Sequence, residues 1–146
     1  REMRRVLRGS GRAAVIVLQA LAQHPVFESL MKSVANHLSL PVSAVAIPFS
    51  LSDAEELRTL FLSAGFKTAT VIPETTMVQF PDFERFVPLA VTSSAAAVPA
   101  FAQLEAAGQE SLVQTVRAEV DSTTQQYRDG SGTMFPMFAH VAIAEK

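Results

Sequence analysis

Residues 13–18, Ala-Ala-Val-Ile-Val-Leu, are six apolar residues in succession with no polar alternation. A strand of this kind can turn neither face to water, which predicts a place inside an α/β sheet, buried on both faces. Ahead of it, Glu2-Met3-Arg4-Arg5-Val6-Leu7-Arg8 reads as the last turns of a helix with an apolar edge at Val6 and Leu7, and Gly9-Ser10-Gly11 stops that helix. Nothing earlier in these residues supplies a neighbouring strand. A partner for at least one edge is expected from elsewhere, because a bare apolar edge is an aggregation hazard.

A length of 146 residues suits a single domain over 1–146 with a sizeable core, and 49% hydrophobic against 18% charged residues is a globular balance leaning apolar. With a net charge of −2, no global field favours nucleic acid or an anionic membrane surface. The chain has no cysteine, which excludes disulfides, thiolate metal sites and a cysteine nucleophile, and fits a cytoplasmic protein. The longest apolar run, 13–22, is broken by Gln19 and is too short to span a bilayer. Five of the twelve basic residues are Arg1, Arg4, Arg5, Arg8 and Arg12. They read as cations at a helix C-terminus, where the backbone dipole favours them.

Further along, Phe27, Leu30, Met31, Val34 and Leu38 recur at helical spacing behind Pro25. Residues 41–49 read as a proline-bounded loop. Ser52-Asp53-Ala54-Glu55 reads as a capping box opening a helix that Gly65 closes, with Phe66 folding back. Residues 68–80 are rich in β-branched residues and contain Pro73, so they predict a strand at a sheet edge. Phe83, Phe86 and Val87 predict a short helix, and 92–97, between Pro88 and Pro99, a mobile loop or a short helix. A long helix is expected over 109–127, with Leu112, Val113, Val116 and Val120 inward, broken by Asp129-Gly130-Ser131-Gly132. Residues 134–144 are apolar on both parities and predict a second strand buried on both faces.

The Glu-x-x-Arg-Val-Leu run of residues 2–7, the glycine turn and the strand that follows resemble the segment leading into strand five of class I S-adenosylmethionine-dependent methyltransferases. Phe49-Ser50-Leu51-Ser52-Asp53-Ala54-Glu55-Glu56-Leu57 with Ala64-Gly65-Phe66 is similar to that family's helix before strand six. The resemblance runs in order along essentially the whole chain, and it is to the C-terminal, substrate-side half of the ubiquinone/menaquinone-biosynthesis-like type. It implies an α/β fold: a three-stranded mixed sheet in the order 5-7-6, the last strand antiparallel, covered by helices, with helical inserts at about 19–50 and 81–132. It also implies that the cofactor-binding half lies outside these residues. Gly9-Ser10-Gly11 precedes a strand, and a cofactor-cradling loop follows one. No cofactor is therefore expected in this chain alone, and S-adenosylmethionine is implied for a full-length relative.

No catalytic residue is assigned. His24, His37 and His140 are spaced without metal-site logic. His24 follows the first strand, on the side where α/β proteins place ligands. With Phe27, Met31, Phe80, Phe83, Phe86, Met134 and Phe135, all in or beside the inserts, it makes the candidate acceptor pocket for a small apolar ligand. Plain packing of the inserts is the competing reading of the same residues. Three functions stay open: a methyltransferase fragment contributing the acceptor side, a stand-alone dimeric binding module, and a non-catalytic dimeric scaffold. A homodimer through the exposed edge of the 13–18 strand is expected, with the N-terminal helix folding over that edge as the alternative.

Overall fold

The computed structural model describes residues 1–129 and 132–146, except for the side chains of Phe83, Glu84, Ser94 and Asp129. The elements follow as α1 (Glu2–Val6), β1 (Arg12–Leu18), α2 (Pro25–His37), α3 (Val42–Val45), α4 (Ala54–Ser63), β2 (Thr68–Phe80), α5 (Phe83–Ala95), α6 (Pro99–Ala102), α7 (Ala106–Gln125), β3 (Arg128–Asp129) and β4 (Gly132–Glu145). Two compact units result. One comprises Arg1–Gln23, Pro48–Thr76 and Met137–Lys146, the other His24–Ile47 and Met77–Pro136.

In the first unit the sheet has the order β1-β4-β2, the order expected from the sequence. β4 runs antiparallel to β1, with Ala14 opposite Ile143 and Ile16 opposite Val141. It is antiparallel to β2 as well: Lys67, just before β2, donates to the Glu145 carbonyl, while Phe80 at the far end of β2 meets Gly132. Bonded neighbours are thus antiparallel, and β1 and β2 run the same way only across β4. Pro73 sits in β2, on an edge, where its missing N–H costs no ladder bond.

Leu57 and Phe61 of α4, with Phe66, pack on Ala142 and Ala144 of β4, joined by Leu7, Val15, Val17 and Val71. Every one of these contacts falls on one face of the sheet. The expectation that β1 and β4 are buried on both faces is therefore wrong. The odd positions of β1 face the core and the even ones face out, so Ile16 is 70% exposed and its neighbour Ile143 is 37% exposed. Ile72 of β2 is also exposed. The apolar pattern specified a strand but could not specify a cover for its second face.

The edge of β1 is open too. Gly11 accepts from Lys146 and Gln19 donates to Phe138, so odd positions bond β4. Among the described residues, the backbone groups of Arg12, Ala14, Ile16 and Leu18 point to an edge that carries no strand.

The cap of α4 falls one residue later than the sequence suggested. Asp53, not Ser52, accepts the Glu56 N–H at 2.7 Å. A carboxylate at the N-terminal end of a helix dipole is a stronger acceptor than a hydroxyl. Glu55 is then free to pair with Arg58 at 2.6 Å, and that pairing holds its carboxyl below the ordinary range. Gly65 ends α4 in the left-handed region (φ 93°), and the Phe66 ring meets Phe61 edge-on at 5.4 Å.

In the second unit α2, α5 and α7 pack on one another. Leu30, Met31 and Val34 of α2, Phe86, Val87 and Val91 of α5, and Val113, Val116 and Val120 of α7 are buried. The 41–49 segment is not a plain loop: it holds α3 and a 3-10 turn at Ile47–Phe49. The short helix expected near Phe83 instead continues through Pro88 to Ala95, which takes in most of 92–97, expected as a mobile loop or a short helix. Proline removes one helical donor, but Val87, Ala90 and Val91 are buried around it, and tertiary packing outweighs the lost bond. α7 begins at Ala106 and ends at Gln125, with all four expected inward residues buried. Part of the expected break after it, Gly130-Ser131, lies outside the described residues.

Candidate functional site

The eight pocket candidates all fall in the second unit. Four of them converge. The Phe86 ring lies 4.8 Å from Phe80, 5.3 Å from Phe135 and 6.0 Å from Phe27, centroid to centroid. Phe135 stacks on Phe80 at 6.4 Å and meets Phe27 edge-on at 6.0 Å. These are the offset and edge-to-face distances at which ring quadrupoles attract. Tyr127, at the end of the long helix and not singled out by the sequence, joins them at 6.3 Å from Phe135. A lone tyrosine beside a helix end carried no periodic signal.

The convergence is packing more than cavity. The crevice bordered by His24, Phe27, Tyr127 and Phe135 has no room for a water molecule. His24 is 2% exposed beside it, so no substrate reaches its ring in this arrangement. Met31 is buried in α2. Met134 alternates out of the cluster on β4 and is 41% exposed. The side chain of Phe83 lies outside the described residues.

Open space lies on the other side of Phe80. A concavity of about 330 Å³ is lined by Phe80, Pro81, Asp82, Arg85 and Leu89. Phe80 is its link to the aromatic cluster. Arg85 and Leu89 are four residues apart on α5 and share a face. The sequence reading missed these two because an isolated arginine and leucine on a helix look like ordinary surface.

In the first unit a second apolar groove, about 290 Å³, runs beside β1, lined by Met3, Val15, Leu51, Leu60 and Phe61 among others. The concavity bordered by Gly9 and Ser10 is charged, lined by Arg12, Lys67, Glu145 and Lys146. It precedes β1, and the stretch after β1, Gln19 to Gln23, has no glycine. Among the described residues no glycine loop joins a strand to a following helix N-terminus. His140 donates from Nε2 to the Ser52 carbonyl at 3.1 Å, leaving Nδ1 buried without a hydrogen-bond partner. Among the described residues no His, Asp and Glu cluster is placed to hold a metal ion, and no helix is long and apolar enough to cross a membrane.

A polar clasp ties α2 to α7. Ser33 donates to Glu119 at 2.5 Å, and His37 Nε2 lies 2.8 Å from the other carboxylate oxygen. The Ser33 hydrogen bond, then that of His37, hold the Glu119 carboxyl below its ordinary range. The carboxylate sits between the hydroxyl and the imidazole, so the histidine cannot take the serine proton, and the arrangement is not a nucleophilic triad.

No known protein family and no curated protein matches the chain. Among solved structures, one similar chain is a candidate methyltransferase from Bacillus halodurans C-125, at 12% identity and a TM-score of 0.40. The match covers 97% of the present chain and 58% of that one, so the chain spans less than two thirds of that neighbour's length.

Proposed function

We propose that the chain is the acceptor-side half of a methyltransferase-like α/β domain, completed by a partner half that docks against β1 and carries the cofactor site. The observation that supports this reading is the state of β1. Its backbone edge is open, its even face is bare at Ile16, and an apolar groove runs along its other side past Val15. Three unsatisfied surfaces around one strand call for one large complement: a strand for the edge and helices for the two sides. The chain itself supplies the wall on which an acceptor rests, and no chemical step is assigned to its residues.

Calorimetry with S-adenosylmethionine tests this. Residues 1–146 alone are expected to show no binding, and the product extended by whatever its gene encodes upstream of Arg1 is expected to bind. Tight binding by 1–146 alone, or none by the extended product, overturns the reading.

When the chain stands alone, the same edge favours a second copy of β1. Antiparallel pairing of two such edges gives a twofold dimer with a continuous sheet. This arrangement is the basis of the alternative reading as a dimeric binding module.

A further inference from the structure

The concavity beside Phe80 has the makings of a ligand site in its own right. One wall is an aromatic ring held in place: Phe80 is pinned by Phe86 at 4.8 Å and by Phe135 at 6.4 Å. The adjoining surface is Pro81 and Leu89. Leu89 is 59% exposed on α5, while among the described residues of that helix Phe86, Val87 and Val91 are at most 2% exposed. Open apolar surface on an otherwise well-buried helix marks a contact surface. The remaining lining is charged, Arg85 and Asp82. The Arg85 side chain makes no ion pair or hydrogen bond among the described residues. Its volume of about 330 Å³ lies at the small end of the range for small-molecule sites.

We infer that this concavity binds a small planar aromatic carboxylate, its ring between Phe80 and Leu89 and its carboxylate on the Arg85 guanidinium. The inference rests on the acceptor-side reading, since it gives the acceptor a chemical class. A fixed aromatic face and an aliphatic side chain accept a flat ring. A guanidinium offers parallel N–H donors that match a carboxylate in a bidentate pair. Asp82 supplies the opposite sign at the rim, which disfavours a second negative charge on the ligand.

The test is a titration of residues 1–146 with 2-naphthoate, followed by NMR chemical shifts and by calorimetry. The neutral isostere 2-naphthalenemethanol is the comparator. Naphthoate is expected to bind about tenfold more tightly than the alcohol. Arg85→Gln is expected to erase that difference, Arg85→Lys to keep part of it, and Leu89→Ser to weaken both compounds together. Arg85 is exposed, so its variants are expected to fold, which circular dichroism checks. Equal binding of the two compounds, no binding at millimolar concentration, or a preference that survives Arg85→Gln overturns the inference. None of these measurements involves S-adenosylmethionine, so their failure is separable from failure of the half-domain reading.

Discussion

Ser39 follows α2 with φ 54°, a left-handed conformation that side chains with a Cβ adopt at a cost. It is held there by a helix-end motif: Leu40 donates to Ala35 and Ser39 donates to Asn36. Ser39→Gly is therefore expected to stabilise the protein by about 0.5–1 kcal/mol, the relief of strain exceeding the added chain entropy, read as a higher urea midpoint at unchanged slope. Glu119 gives a prediction with a pH sign. Its folded carboxyl is held below the ordinary range by Ser33 first and His37 second, so its contribution is present above the unfolded value and lost as pH falls through the folded one. Glu119→Gln is expected to cost about 1 kcal/mol at pH 7, and the gap between variant and parent to close as pH falls through the lowered folded value. Parallel urea titrations at pH 7, 5 and 3 check it. Neither residue was legible in the sequence: a left-handed serine has no signature, and Ser33, His37 and Glu119 meet only because two distant helices pack. Gly65 was legible, because a glycine after a capped apolar helix is a known stop.

At the scale of elements, what the sequence specified was hydrophobic pattern, and what it left open was the cover. The inward stripe of α7 and the edge character of β2 were readable, since both follow from periodicity and from proline chemistry. β1 was readable as a strand and misread as buried twice, because Ile16 and Val15 look alike until something packs on only one of them. Pro88 looked like a boundary and is inside α5, where packing overrides backbone preference. The aromatic residues were named in the sequence as pocket candidates, with packing as the competing reading, while Arg85 and Leu89 entered only once β2 and α5 were placed end to start. β1 also carries a test of the edge. The Ala14 N–H faces away from β4, so Ala14→Pro removes a donor from the open side without breaking the β1–β4 ladder. Sedimentation is expected to show a dimer for the parent and a monomer for Ala14→Pro at similar circular dichroism. A monomeric parent, or a variant that still dimerises, removes the case for strand pairing.

For the molecule as a whole, the strand order was legible only through the resemblance, which implied it, while the residues themselves placed the Pro73 strand at an edge. The two sides of that sheet are unequal. One ends in β1, smooth and unblocked, and the other in β2, where Pro73 interrupts the donors and Glu74, Thr75 and Thr76 stand exposed. Joining two copies through the smooth side uses up both available margins and leaves only obstructed ones outside. Addition then halts at a pair, a self-limiting object and not the start of a fibre.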